Sequence, residues 1–142
     1  MKRILVYLSL AVAVAMATAW SQSNPMHTRN PLFGTWELSS QMLDGQANDP
    51  KVREVKMISP ERYMWVAYEK SSMKPSGMGL GSCKLDGDSY TEHIEYLNVN
   101  GRDMSDMIGK DYTFTVKVDG DTLTQSGTMG TMKLSESWKR VK

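Results

Sequence analysis

The chain has 142 residues, with 17 basic and 16 acidic side chains. That length suits one domain, and the near balance of charge gives no electrostatic pull toward nucleic acid or an anionic membrane. A single cysteine, Cys83, excludes an intrachain disulfide, so stability must come from a packed core.

Met1-Lys2-Arg3 is a short basic start, Ile4 to Met16 is an apolar run, and Ala17-Thr18-Ala19 puts small residues where a signal peptidase reads. This is the three-part pattern of a secretory signal peptide over residues 1–19. It predicts cleavage after about Ala19 and a periplasmic or secreted protein. The run falls short of the ~20 apolar residues of a membrane-spanning helix, and no Cys follows it, so no membrane anchor is expected. Removing 19 residues leaves 123, and losing Lys2 and Arg3 leaves 15 basic against 16 acidic residues, a net charge of −1. Ten of the twelve methionines follow the signal and read as flexible core filler.

Residues 20–31 carry Ser, Asn, Pro and His27 without periodicity, and read as a flexible lead-in ended by Pro31. From there to residue 142 the pattern has period two, with turn residues about every ten positions, as in all-β sandwiches and barrels. Eight strands are predicted: Gly34–Gln41, Arg53–Ile58, Arg62–Lys70, about Gly79–Leu85, Ser89–Leu97, about Lys110–Val118, Thr122–Thr128 and Met132–Arg140. Asp86-Gly87-Asp88 and Asp119-Gly120-Asp121 are near-copies and strong hairpin signals, because Gly readily takes the positive φ a tight turn needs. Asn98 to Ile108 breaks the pattern. Met104, Met107 and Ile108 would share a face on a short helix, but a plain loop fits as well.

Gly34-Thr35-Trp36-Glu37-Leu38 resembles the Gly-x-Trp start of the calycin superfamily, which includes lipocalins and fatty-acid-binding proteins. The runs Arg62 to Val66 and Leu85 to Tyr96, with the ending Glu136-Ser137-Trp138-Lys139-Arg140, resemble a lipocalin-like domain family of unknown function, made of short secreted proteins of Bacteroidetes-type bacteria. The resemblance spans about residues 31 to 142. It implies an eight-stranded antiparallel up-and-down β-barrel, lipocalin-like, over residues 32–142. It also implies that Arg140 packs over Trp36 at the closed base and locks the last strand to the first. It implies no established activity.

In a barrel, side chains alternate between lumen and solvent. Choosing the apolar set on each strand puts Trp36, Leu38, Tyr63, Trp65, Ile94, Tyr96, Phe114, Val116, Leu123, Leu134 and Trp138 inside. The same phase forces Tyr90, Glu92, Gln125, Glu136 and Arg140 inward. An aromatic lumen with a few convergent polar groups fits a ligand site, so Tyr63, Trp65, Tyr90, Glu92, Phe114, Gln125, Glu136 and Trp138 are the ligand-contact candidates. For each inward polar residue a purely structural pairing is the first reading and ligand contact the second. The expectation is a non-enzymatic exported protein that binds a small, partly apolar (hydrophobic or amphipathic) ligand in the barrel lumen. The alternatives are a structural or interaction module with a filled lumen, or a small hydrolase or isomerase using Glu92 or Glu136. No residues assemble a metal site: His27 and His93 lack ligand spacing. Cys83 reads as a buried, inert thiol. Gly77, Gly79 and Gly81 precede a strand rather than a helix, so they form no dinucleotide loop and read as a bent edge. No catalytic set and no cofactor are expected. Closed sheet edges favour a monomer.

Overall fold

Wherever the sequence alternates, a strand forms. The computed structural model describes residues 30–47 and 51–142. The expected signal peptide over residues 1–19, with its expected cleavage point, His27 and the lead-in up to residue 29 lie outside the described residues.

Nine strands follow one another: β1 (Gly34–Leu43), β2 (Gln46–Ala47), β3 (Val52–Ile58), β4 (Arg62–Glu69), β5 (Pro75–Asp86), β6 (Ser89–Val99), β7 (Asp111–Asp119), β8 (Thr122–Met129) and β9 (Met132–Arg140). Every pairing is antiparallel, and the order in the sheet is that of the chain, with β2 folding back only on the end of β1. β1 also pairs with β9, from Trp36 opposite Arg140 to Leu43 opposite Leu134. That pairing closes β1 and β3–β9 into the eight-stranded barrel the sequence implies. In the two Asp-Gly hairpins, Gly87 and Gly120 hold φ of 62° and 57°. Both hairpins lie at the same end as Trp36, here called the base. The opposite end is the mouth. The segment between β6 and β7 forms no full helix but a single 3₁₀ turn at Ser105–Met107, and Ile108 is exposed.

The base is shut by side chains. Leu32 tucks beneath the barrel with 2% of its surface exposed, and the Trp36 indole Nε1 donates to the Leu32 carbonyl at 2.9 Å. The Arg140 guanidinium lies over the Trp36 ring, 4.0 Å from its centroid, and donates to the carbonyls of Pro31 and Phe33. Above this layer Tyr90, Phe114, Leu123 and Trp138 pack with almost no exposure.

Three expectations need correction. Tyr96 does not face the lumen. Leu80 pairs with Tyr96 and Gly81 with Ile94, so Glu95 is an extra residue in β6. This β-bulge reverses the alternation beyond it: Tyr96 is 43% exposed, while the partly buried Leu97 and Val99 oppose Gly79 and Gly77. The methionines, in turn, are mostly not core filler. Among the described residues none is fully buried, Met42, Met57 and Met73 are 45%, 42% and 66% exposed, and Met129 alone packs against the core cluster.

Gly77, Gly79 and Gly81 are not a bent edge either. They sit on β5, between β4 and β6, on its inward side. The Trp65 indole lies flat on this bare backbone: a Cβ at Gly79 would come within 2.7 Å of Trp65 Cε2, and one at Gly77 within 3.2 Å of Trp65 Cζ3. At Gly81 the constraint is backbone, since a Cβ there would run into the His93 carbonyl oxygen. Gly81→Ala should therefore lower unfolding free energy by about 1–3 kcal/mol or more, because backbone rather than a side-chain tip must move. Urea denaturation checks this. Gly87, whose Cβ would meet nothing, provides no such clash.

Candidate functional site

Barrel closure gathers inward-facing polar side chains from five strands into one layer at mid-height. Lys56 of β3 is at its centre. It lies directly opposite Trp36 on one neighbouring strand and Trp65 on the other, so its side chain shares their inward phase. It is 4% exposed. Its ammonium reaches Glu92 Oε1 at 3.1 Å and Gln125 Oε1 at 3.3 Å, and sits 4.9 Å from the centre of the Trp138 ring. Glu136 is held separately: Trp138 Nε1 donates to its Oε2 at 3.2 Å, and Gln41 Nε2 donates to its Oε1 at 2.7 Å.

Of the eight ligand-contact candidates, the structure turns all into the interior. Tyr63, Tyr90, Glu92, Phe114, Gln125, Glu136 and Trp138 are buried, and Trp65 keeps partial exposure. Glu92 and Gln125 meet on Lys56; Glu136 and Trp138 meet each other. Tyr90 and Phe114 stand opposite one another toward the base and are packed in. The Tyr90 hydroxyl has no well-formed hydrogen bond, with Cys83 and Glu92 its polar neighbours. Burial raises the pKa of both tyrosines, Tyr63 and Tyr90, with the Glu92 charge adding to the effect. Burial also pushes the Cys83 thiol up. Among the described residues, no three His, Cys, Asp or Glu gather as a metal set.

Sequence reasoning missed Lys56 and Glu54. Both lie on β3, whose apolar residues fall on both faces, so its phase was unreadable alone. Glu54 follows the inward phase of Lys56 and is partly buried, and the nearby Lys56 charge acts on its carboxylate. Burial, helped by repulsion from Glu136 and Glu92, pushes its pKa up to about 7, against the partial relief Lys56 provides. For Lys56 the balance runs the other way. Burial pulls its pKa down, but the charges of Glu92, Glu136 and Glu54 and the hydrogen bond to Glu92 more than offset this and hold it above the usual value. One ammonium thus serves three inward carboxylates.

Below this layer the lumen is filled. Toward the mouth, inward residues such as Leu38, Trp65, Leu97, Tyr112 and Met129 stay partly exposed. Two concavities formed by described residues lie outside the lumen. One, of about 460 Å³, runs under the base between Asn30, Phe33 and Arg140. The other, of about 240 Å³, lies against Lys117 and Thr124 on the outer wall.

Fold and site together define a closed β-barrel with a charged mid-layer and an aromatic, glycine-walled upper half. No family model matches the chain, and no curated protein matches it. Among solved structures, a variant of the fluorescent protein UnaG is similar, at 12% identity and a TM-score of 0.42, covering 79% of this chain and 97% of that one. At that level of overlap nothing about function follows from it. No helix among the described residues is long and apolar enough to cross a membrane.

Two outcomes are expected from the mid-layer. Lys56→Met strands Glu92 without its partner and should cost about 3–5 kcal/mol at neutral pH. Adding Glu92→Leu should recover much of that loss in chemical denaturation. Glu54 sets a pH dependence. Its folded pKa lies above its unfolded value, so its contribution to stability is whole below pH 4.5 and is lost as pH rises through about 7. Glu54→Gln should flatten the fall in denaturation midpoint between pH 5 and about 8; an unchanged slope would mean that another group titrates.

Proposed function

We propose that this chain is an exported barrel of the calycin type that binds a small, partly apolar molecule in the upper half of its lumen. The observation that carries the reading is Glu54. A barrel interior built only for stability gains nothing from a third inward carboxylate beside a lysine already shared by two others. The Glu54 carboxyl takes the inward phase with only partial relief from the Lys56 charge, and Trp65 lies against the bare backbone of Gly77 and Gly79. The Lys56–Glu92–Gln125 layer makes a polar floor, Trp65 and Tyr112 an aromatic wall. That lining suits a ligand with an apolar body and a hydrogen-bond donor aimed at Glu54. The signal-like N-terminus supports export to the periplasm or the medium.

A second reading also has a specific observation behind it. Trp36, Trp138, Tyr90, Phe114 and Leu123 leave the lower half solid, as in a barrel that serves as a scaffold and holds nothing. The two readings part on a retained molecule. Native mass spectrometry of protein purified from its own host should show a discrete adduct, lost on denaturation, and weakened by Trp65→Ala without loss of fold. Protein of bare mass from its host, with a melting temperature unmoved across a panel of small amphipathic compounds, would leave the scaffold.

A further inference from the structure

The lumen carries an unequal set of charges. Among the described residues, three carboxylates take the inward phase of their strands: Glu54 on β3, Glu92 on β6 and Glu136 on β9. Above the base one ammonium faces them, Lys56, because Arg140 is engaged beneath the barrel with Trp36 and the carbonyls of Pro31 and Phe33. Lys56 already holds Glu92 and Gln125 and lies against the Trp138 ring. Fully ionised, this set leaves two negative charges in excess, in surroundings where little water screens them. The lysines of the rim, Lys51, Lys70 and Lys74, are exposed, and in water their fields fade within about 8–10 Å.

Position adds to sign. Glu92 and Glu136 are 5% and 6% exposed, whereas Glu54 keeps partial exposure, so an entering molecule meets Glu54 before the other two. Its neighbours on the inner wall are small: Glu54 lies beside Ala67, and Ala67 beside Gly77. Trp65 opposes Lys56 on β4, which makes it the diagonal neighbour of Glu54, ~7–8 Å away along the sheet. Its ring covers Gly77 and Gly79. A small cation between the two would meet a carboxylate on one side and an indole on the other, and both attract it. A carboxylate in the same place would meet like charge, with the only nearby ammonium already engaged.

Resting on the reading that the lumen takes a guest, we propose that the guest is an organic cation, an ammonium head on an apolar body, with the head paired to Glu54 beside Trp65, and that the lumen rejects carboxylate guests of the same shape. The pairing brings a pH dependence, because Glu54 must be ionised to hold the cation and its pKa is raised to about 7. The charged groups that face it are Lys56 on its own strand, Glu69 at the exposed rim of β4, Glu92 on β6 and Glu136 on β9. β1, β5, β7 and β8 turn no charged side chain into the upper lumen. Cation affinity should therefore rise about tenfold from pH 6 to pH 8, and that of a neutral guest far less.

Isothermal titration calorimetry on the full chain, with hexylammonium, hexanol and hexanoate, varies the head group alone. At about pH 8 hexylammonium should bind about tenfold or more tighter than hexanol, with hexanoate the weakest. Glu54→Gln should bring hexylammonium down to the level of hexanol, remove the pH slope and leave hexanol binding in place. Glu54→Asp, which keeps the charge, should keep the preference. A carboxylate with a purely structural role would alter the three guests alike. Equal affinity for all three, hexanoate as the tightest, or a hexylammonium preference that survives Glu54→Gln overturns the cation assignment and leaves the lumen reading standing. Binding of none of them removes the lumen reading and this one with it.

Discussion

Seven residue pairs between β1 and β9 turn a sheet into a barrel, and the interior is a consequence of that closure. Once the outermost strands join, eight inward faces share one space, and a polar residue in the inward phase can reach solvent only along the axis. Lys56, Glu92, Gln125 and Glu136 cannot, and so Lys56 satisfies Glu92 and Gln125, while Glu136 accepts from Trp138 and Gln41. The base shows the same logic with a cation and an indole. Arg140 over Trp36 joins the last strand to the first and, through the carbonyls of Pro31 and Phe33, pins the chain that enters beneath them.

The mid-layer is a poor device for stability. Moving charges out of water costs several kcal/mol each, and well-packed apolar side chains of similar volume often do as well or better. Yet the layer sits at the boundary between a solid lower half and an upper half whose inward residues remain partly open to water. Its charge is unbalanced in one direction, with carboxylates in excess. Apolar packing below and unbalanced polarity above give the two ends of the barrel different work: the base holds the fold together, and the mouth is where chemistry with another molecule can occur.

Much of this was legible in the sequence because alternation is a local signal. β7, β8 and β9 each put their large apolar residues at every second position, so their inward sets, from Phe114 to Trp138, could be read one strand at a time. The twin Asp-Gly turns gave the registers. Three things were not legible, for different reasons. β3 reads Val-Arg-Glu-Val-Lys-Met-Ile, with apolar residues on both faces, and only partners 36 and 69 positions away identify Lys56 as buried. The bulges at Ser39 and Glu95 add a single residue without any composition cue, so their effect on phase is visible only against the neighbouring strand. The exposure of most methionines was hidden by a sound general expectation, that methionine fills cores. It fails because the aromatic rings and the glycine-backed Trp65 already occupy that volume.

The glycine wall has one more consequence. An indole resting on bare backbone and open to the upper lumen is an optical reporter that the protein already owns. Trp36 and Trp138 are sealed from solvent, so within the barrel an aqueous quencher meets Trp65 alone. The emission of that ring would register a guest entering the mouth, or water leaving it, without any label attached.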